Sequence, residues 1–300
     1  MKLDYLICFL KNIGVEYKIN ENLAPFVSIR VAGKAHIIVF PHSVEHFCEV
    51  LNFLYTKEYK FFILGNGTNV FFSEEYNGVV ISTKRLNTIA VHGSELTAQC
   101  GASITKCSLI AYKNQLSGLE FAYGIPGSVG GAVYMNANAF GGSISDIVVK
   151  SKIYDIKTNT VQIIDAKNHL FSEKHSVFME NKAVVLETSF MLSKANSREM
   201  ILEKMNELMK KRAENQPLDK YSAGSVFKRF GSVIPARLID EMGLKGYSIN
   251  DAEISTKHAG FIINKGNAKS TDILNLIKYI KENAQKVYDI NFEEEIIFVE

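Results

Sequence analysis

Two clusters of glycine offer the backbone donors that a phosphate or the edge of a flavin ring needs. The first, Gly65-Asn66-Gly67-Thr68-Asn69, directly follows the apolar run 60–64. The second extends from Gly124 to Gly131, and glycine fills three of the positions from 127 to 131. Glycine lets N–H groups approach an anion closely, and Thr68 and Asn69 add side-chain donors. Asn-Gly is also a strong hairpin signal, so a simple hairpin turn stays open for the first cluster.

Neither cluster has the pattern of the two commonest nucleotide-binding loops. The Gly124–Gly131 segment is not GxGxxG after a strand, and the acidic ribose partner of a Rossmann site is not evident. A Walker loop needs Gly-Lys-Ser or Gly-Lys-Thr, which is also missing. The density of glycine therefore favours a flat, donor-rich backbone surface for a pyrophosphate or a flavin.

Ser225 ends the small-residue turn Ser222-Ala-Gly-Ser225, with Lys228 and Arg229 close behind it. A serine held in this way could protonate a carbanion while the two cations bind phosphates or a carboxylate. A capping or turn serine is the alternative. The nucleophile elbow of a hydrolase is disfavoured, because its GxSxG pattern is absent from the sequence.

Three consecutive glutamates, Glu293 to Glu295, precede the apolar run Ile296–Val299. In a strand, the first and third would share one face. Crowded carboxylates beside apolar surface raise each other's pKa, which keeps a glutamate able to give a proton at neutral pH. A solvated acidic tail is the alternative.

The histidines predict no metal site. His42 and His46 are four residues apart, but the segment is not HExxH and no third ligand is in view. His258 precedes the apolar run Phe261–Asn264, and a substrate-binding role and a structural role both stay open.

The composition is that of a globular chain with two or three lobes. It has 300 residues, of which 47% are hydrophobic and 22% charged, with a net charge of +2. Because the basic residues are scattered, we expect no nucleic-acid binding, and no run reaches the ~20 apolar residues that a membrane span requires. The four cysteines show no CxxC pairing, which is typical of a reducing compartment, so we expect a cytoplasmic protein.

Helices and short sheets in separate runs predict an α+β fold around these residues. Apolar periodicity predicts helices over 3–13, 44–54, 104–116, 236–243 and from Ser270, and strands over 35–40, 60–64, 78–82 and 96–99. Alternating runs between Ile147 and Leu192 predict an antiparallel sheet. Asn196 and Glu199 resemble a capping box, which predicts a long helix and a domain boundary near 195. A last strand is predicted over Glu293–Val299.

Taken in order, these segments resemble the UDP-N-acetylenolpyruvoylglucosamine reductases (the MurB family), in particular the shorter type that lacks an extra substrate-covering loop. The resemblance extends from about Val27 to the end of the sequence. It is carried by Ser28-Ile-Arg-Val-Ala-Gly33, Leu64–Asn69, Tyr123–Ala137, Ser222–Lys228, Leu238–Gly246 and Lys257–Asn264.

The resemblance implies a two-lobed FAD-binding region of the vanillyl-alcohol-oxidase (PCMH) type over 1–195, with lobes of about 1–83 and 84–195. A C-terminal α+β substrate-binding domain over 196–300 is implied to follow. The implied activity is reduction of UDP-N-acetylglucosamine enolpyruvate to UDP-N-acetylmuramate, a peptidoglycan precursor, with FAD as cofactor and NADPH as reductant. In that reaction NADPH gives a hydride to the flavin, the substrate takes it, and the resulting enolate is protonated. We expect a monomer; an FAD-binding paralogue with a drifted substrate or no turnover is the alternative.

By the same resemblance, Ser225 matches the family's proton-donating serine, and Glu295 matches the glutamate that assists at the enolate. Where the family has Tyr-Arg, a variable residue and Ser, this chain has Glu173-Lys174-His175-Ser176, so Lys174 replaces the arginine. Lysine keeps the charge but loses the planar fork that binds a carboxylate with two hydrogen bonds. The expected substrate-binding residues are Lys228, Arg229 and His258. The expected FAD-binding residues are Gly65, Asn66, Gly67, Thr68, Asn69, Gly101, Gly124, Pro126, Gly127, Ser128, Gly130 and Gly131.

Overall fold

The computed structural model describes residues 2–300, which form two compact units. Unit 1 contains the residues up to Ile19 together with Ile37–Asn66 and Gly78–Lys210, and unit 2 contains Asn20–His36, Gly67–Asn77 and Lys211–Glu300. The units alternate along the chain, so they do not coincide with the contiguous regions 1–195 and 196–300. The division of the chain by function into those two regions stays a prediction.

Apart from α4, which was not predicted, the α-helices begin and end close to the predicted positions. They are α1 (Lys2–Asn12), α2 (Val44–Thr56), α3 (Ile104–Lys113), α4 (Val129–Tyr134), α5 (Arg198–Asn215), α6 (Pro235–Glu241) and α7 (Ser270–Tyr288). The β-strands are β1 (Glu16–Asn22), β2 (Lys34–Phe40), β3 (Phe61–Leu64), β4 (Val70–Phe72), β5 (Glu75–Ser82), β6 (Ile89–His92), β7 (Glu95–Gln99), β8 (Leu116–Ser117), β9 (Asn138–Ala139), β10 (Gly142–Ser143), β11 (Val148–Asp155), β12 (Thr160–Asp165), β13 (Ala183–Met191), β14 (Ser193–Lys194), β15 (Tyr221–Ser225), β16 (Ser248–Ile249), β17 (Ala252–Ile254), β18 (Phe261–Asn264) and β19 (Ile297–Val299).

Helix capping shows how local sequence sets these limits. The Ser43 side chain accepts a hydrogen bond from the His46 N–H at 3.2 Å and begins α2, as predicted. The prediction that Asn196 caps α5 is wrong by one position. Ser197 holds the cap, because its Oγ accepts a hydrogen bond from the Met200 N–H at 3.3 Å.

Unit 1 contains the antiparallel sheet expected between residues 147 and 192. Its strand order is β12-β11-β13-β7-β6, with antiparallel pairing throughout. One core contains buried residues of this sheet together with apolar residues of α1, α2, α3 and α4. The α+β prediction is therefore confirmed for this unit.

Unit 2 is a smaller α+β unit. Its sheet has the order β15-β18-β17-β16, and α7 buries Ile273, Leu276, Ile277 and Ile280. β19 pairs in parallel with β4, which brings Ile297 opposite Val70. The last strand is thus shorter than predicted, because residues 293–296 run beside residues 226–228 instead.

The first glycine cluster is not a hairpin turn. Before it, β3 pairs in parallel with β5, and after it, β4 pairs in parallel with β19. The chain therefore changes strand partners between residues 65 and 69, and the hairpin interpretation is wrong. In the described part of the chain, residues 2–300, we find no helix whose length and apolar character would let it span a bilayer.

Candidate active site

Gly65 and Asn66, the part of the first glycine cluster that belongs to unit 1, contact the second cluster. The Asn66 side-chain amide donates a hydrogen bond of 2.8 Å to the carbonyl oxygen of Pro126, 60 residues further along the chain. An ideal Cβ placed on Gly65 would lie 2.3 Å from the Oγ of Ser128. Because real Cβ atoms do not approach another atom so closely, residue 65 is glycine to let the clusters meet.

Gly101 lies against the second cluster. The N–H groups of Val129 and Gly130 donate to the carbonyl oxygens of Ala102 (2.8 Å) and Cys100 (2.7 Å), one on each side of Gly101. A Cβ on Gly101 would lie 1.7 Å from the carbonyl oxygen of Thr83. The structure therefore brings Gly65, Asn66, Gly101 and the Gly124–Gly131 cluster together in one place.

The N–H groups of the two clusters differ in their availability. The N–H of Gly131 donates to Ser128 Oγ at 3.3 Å, so that donor, like those of Val129 and Gly130, is occupied within the protein. By contrast, the N–H groups of residues 66–68, 127 and 128 donate to no acceptor among residues 2–300. The second cluster is thus partly scaffold, and the available donors lie in the first cluster and at the start of the second. Within unit 1, the available N–H groups of residues 66, 127 and 128 suit the phosphates of a dinucleotide cofactor.

Unit 2 brings Ser225 and Glu295 into neighbouring segments. Ser225 ends β15 opposite Phe261 of β18, after Gly224 in the left-handed conformation (φ +78°). The carbonyl oxygen of Val226, the next residue, accepts hydrogen bonds from the N–H groups of Glu295 (2.7 Å) and Ile296 (3.4 Å).

The other two glutamates are bound by lysines, so the segment is not a free acidic tail. Glu293 forms an ion pair with Lys228, and Glu294 accepts a hydrogen bond of 2.8 Å from Lys281. The N–H of Lys228 also donates to the Glu293 carbonyl oxygen at 2.9 Å. An anionic ligand at Lys228 would have to compete with Glu293 for its ammonium group.

His258 is half-buried in unit 2, beside Phe261. Its Nδ1 accepts a hydrogen bond from the Gly260 N–H at 3.1 Å, which assigns the neutral ring's proton to Nε2. Burial is the main cause that lowers the pKa of His258, and the charges of Lys245 and Arg229 lower it further. The substrate-binding role of His258 and Arg229 stays a prediction.

Lys174 lies in a tight turn of unit 1. Ser172 and His175 exchange backbone hydrogen bonds of 3.2 and 3.3 Å across the turn, and Lys174 has a left-handed backbone with φ of +55°. His175 contacts Glu180, with a distance of 3.0 Å between Nε2 and Oε1.

Two polar side chains fix this turn to the end of α4, the helix that begins in the second glycine cluster. The Asn136 amide donates to the Ser172 carbonyl oxygen at 2.9 Å, and Ser176 Oγ donates to the Tyr134 carbonyl oxygen at 2.6 Å. Sequence reasoning did not single out Asn136. Its place just after a helix, where its φ is +44°, is a common position for asparagine and is the signal that could have found it.

The remaining candidates form no reactive centre. The rings of His42 and His46 contact each other at 4.4 Å between centroids, and no metal-binding group of His, Cys, Asp and Glu occurs within residues 2–300. Cys100 and Cys107 are free and buried, and burial raises the pKa of each thiol to about 12. Such thiols are protonated at neutral pH and behave as apolar core residues.

Two family models match the chain. The model of an FAD binding domain matches residues 35–164, which include both glycine clusters. The model of the UDP-N-acetylenolpyruvoylglucosamine reductase C-terminal domain matches residues 216–299, which include Ser225 and Glu295. The fold and the site together define an FAD-dependent oxidoreductase with an FAD-binding region followed by a C-terminal domain.

Similarity to known proteins extends over nearly the whole chain. The UDP-N-acetylenolpyruvoylglucosamine reductase of Caldicellulosiruptor bescii is 40% identical over 293 residues, covering 97% of this chain and 93% of that protein. The reductase of the same name from Pseudothermotoga lettingae is 43% identical over 283 residues, covering 94% and 97%. The crystal structure of the Thermus caldophilus enzyme has a TM-score of 0.81 at 28% identity and covers 95% of this chain and 99% of that one. The chain belongs to the UDP-N-acetylenolpyruvoylglucosamine reductase family, which confirms the predicted family and its FAD-binding fold.

Proposed function

We propose that this protein uses NADPH to reduce UDP-N-acetylglucosamine enolpyruvate to UDP-N-acetylmuramate in the cytoplasm, as a step of peptidoglycan precursor synthesis. Family membership supports the reaction class. The observation that carries the proposal is the junction of Ser225 and Glu295, which the Val226 carbonyl joins through the 2.7 Å hydrogen bond from the Glu295 N–H.

FAD fits the part of the glycine clusters that lies in unit 1, because the N–H groups of residues 66, 127 and 128 donate to no acceptor within residues 2–300. We assign FAD binding to the two clusters and to Gly101, which the backbone holds against the second cluster. The chemistry that bound FAD supplies is the relay of a hydride from NADPH to the terminal carbon of the substrate.

Ser225 and Glu295 carry out the proton transfer that completes the reduction. Ser225 Oγ gives a proton to the substrate carbon that carries the carboxylate, and Glu295 assists at the enolate. The ammonium group of Lys174 stabilises the negative charge that develops in the transition state on the enolate, next to the substrate carboxylate. Lys228, Arg229 and His258 bind the substrate, with the two cations suited to its phosphates.

The test separates the two halves of the reaction. In Ser225→Ala, bleaching of the bound FAD by NADPH should stay near the wild-type rate, because no proton donor is needed there. Reoxidation by the enolpyruvyl substrate should slow by roughly 10²-fold or more, the usual effect of losing a positioned proton donor. Equal slowing of both halves would make Ser225 a structural residue.

The wild-type protein also tests the competing function. Lysine at position 174 favours a paralogue with a drifted substrate, because lysine binds a carboxylate with less orientation than arginine. A yellow wild-type protein that NADPH bleaches but that the enolpyruvyl substrate does not reoxidise would support the paralogue. Light scattering of the purified protein tests the expected monomer.

A further inference from the structure

Asn69, the last residue of the first glycine cluster, lies in unit 2, and its side chain is bonded to the glutamate segment of the same unit. Its Nδ2 donates a hydrogen bond of 2.9 Å to the carbonyl oxygen of Glu295. The main-chain carbonyl oxygen of Asn69 accepts a hydrogen bond of 2.9 Å from the N–H of Ile297. Asn69 therefore holds the chain on both sides of Ile296.

Glu295 is held from its other side by the serine strand. Its N–H donates to the carbonyl oxygen of Val226 at 2.7 Å, next to Ser225. Both backbone polar groups of Glu295 are thus bonded, one to the residue after Ser225 and the other to Asn69. A group that takes part in proton transfer must lie within hydrogen-bond reach of its partner, and a misplacement of about 1 Å can cost on the order of 10²-fold in rate.

We infer that Asn69 is a positioning residue, whose carboxamide sets the place of Glu295 relative to Ser225. The inference rests on the proposed function, because it takes Glu295 as part of the proton-transfer machinery. It divides the predicted cofactor-binding role of Asn69 into two parts. The backbone N–H faces no acceptor within residues 2–300 and stays available to the cofactor, whereas the side chain serves Glu295.

The same loop supplies a matched control. Asn66 has the same side chain, but its amide donates to Pro126 in unit 1, where the cofactor clusters meet. Removal of the two amides should therefore have different effects. Asn66→Ala should weaken FAD binding, and Asn69→Ala should weaken proton transfer.

The experiment compares N69A, N69D, N66A, E295Q and the double variant N69A/E295Q as purified holoenzymes. We expect N69A and N69D to retain FAD at the wild-type stoichiometry and to be bleached by NADPH within about 2-fold of the wild-type rate. Reoxidation by UDP-N-acetylglucosamine enolpyruvate should slow by about 10- to 100-fold, as a displaced catalytic group predicts. The aspartate side chain has the shape of asparagine but no N–H group to donate. If only the shape of residue 69 mattered, N69D would be reoxidised at nearly the wild-type rate.

Two further readouts connect the loss to Glu295. The double variant N69A/E295Q should be reoxidised no more slowly than E295Q. Asn69 acts only through the Glu295 carboxylate, and E295Q has already removed that carboxylate. The pH dependence that E295Q removes from the reoxidation rate should shift in N69A and stay unchanged in N66A.

The inference is overturned if N69A loses FAD in parallel with N66A, since Asn69 would then be a cofactor ligand. It is equally overturned if the effects of N69A and E295Q multiply in the double variant. Failure of the proposed function gives a different pattern, in which S225A and E295Q are both reoxidised at the wild-type rate. N69D provides the second variant if N69A does not fold.

Discussion

Ser128 Oγ occupies the space that a side chain at residue 65 would need, since a Cβ on Gly65 would lie only 2.3 Å from it. The same hydroxyl caps α4 by accepting the Gly131 N–H at 3.3 Å. One oxygen atom thus links the packing of the two clusters to the start of a helix.

Gly65→Ala should force this hydroxyl to rotate away from the start of α4. We expect a loss of about 1 kcal/mol in the free energy of unfolding, the usual cost of a lost N-cap. In a Ser128→Ala background the substitution at 65 should cost clearly less, because the nearest remaining atom, the Cβ of residue 128, would be 3.4 Å away. Urea unfolding of the four proteins measures the coupling; strictly additive costs would contradict the contact.

Lys174 has a left-handed backbone conformation, so glycine can replace it and remove its positive charge without straining the backbone. Lys174→Ala should slow reoxidation by the enolpyruvyl substrate, and Lys174→Arg should keep or improve it, because arginine restores the planar fork. Lys174→Gly should be as slow as the alanine variant yet more stable than that variant, since glycine adopts a φ of +55° without strain. Single-turnover reoxidation and thermal unfolding measure the two effects.

Alanine variants of His175 and Arg229 are the controls for that series. His175 is paired with Glu180, so we expect His175→Ala to reoxidise at nearly the wild-type rate. A fast Lys174→Ala would contradict our assignment, and a collapse at His175 or Arg229 would identify the residue that has taken over the cationic role.

Asn136 and Ser176 should matter to the substrate through the turn that they fix. Asn136 is 5% exposed. Its side-chain amide donates a hydrogen bond to the Ser172 carbonyl oxygen, and its side-chain oxygen accepts one of 2.9 Å from the Ser145 N–H. Asn136→Ala therefore leaves two partners unpaired and should cost about 1–3 kcal/mol of stability, while Ser176→Ala should cost about 1 kcal/mol. Both variants should raise KM for the enolpyruvyl substrate while bleaching by NADPH stays near normal. An unchanged KM would show that the turn does not reach the substrate.

His169 should make the stability of unit 1 depend on pH. It is fully buried, with Nε2 2.8 Å from Ser151 Oγ and Nδ1 3.1 Å from the Asp165 carbonyl oxygen. Burial is the main cause that holds the pKa of His169 below its ordinary value of 6.5. The unfolded chain therefore binds a proton at a pH where the folded chain does not, so stability falls as the pH drops below 6.5 and returns as it rises.

Denaturant unfolding between about pH 5 and 8 measures this effect. His169→Gln should flatten part of the pH dependence, because glutamine does not titrate there. For comparison, His258→Gln in unit 2 should flatten another part of the pH dependence, since burial also lowers the pKa of His258. A full pH dependence in His169→Gln would contradict the assignment to His169.

Local signals in the sequence were sufficient to predict most of the fold. The Ser43 cap and the apolar stripe behind it predicted where α2 begins, because capping and periodicity depend only on neighbouring residues. The last strand was predicted too long for a different reason. The prediction extended the strand over the three glutamates before the apolar run, but Glu294 pairs with Phe227, a residue far away in the sequence. Spacing alone cannot show such a partner.

The sequence suggests candidate site residues, but it does not show which of their groups are available to a ligand. Glycine density drew attention to the second cluster, yet the N–H groups of residues 129–131 donate within the protein. Likewise, asparagine at 66 and at 69 looked equivalent in sequence, and only the fold separates an amide bonded to Pro126 from one bonded to Glu295.

The pairing of β4 with β19 has a consequence for the protein during its synthesis. Asn69 and Glu295 are 226 residues apart, so the ribosome makes the first glycine cluster long before the segment that completes it. At about 5–20 residues per second, roughly 10–45 s pass between the two. Throughout that interval β4, whose three residues Val70, Phe71 and Phe72 are all buried in the folded protein, lacks its partner strand β19. We therefore expect the nascent chain to expose an apolar segment, a surface that favours aggregation, until its last residues are made.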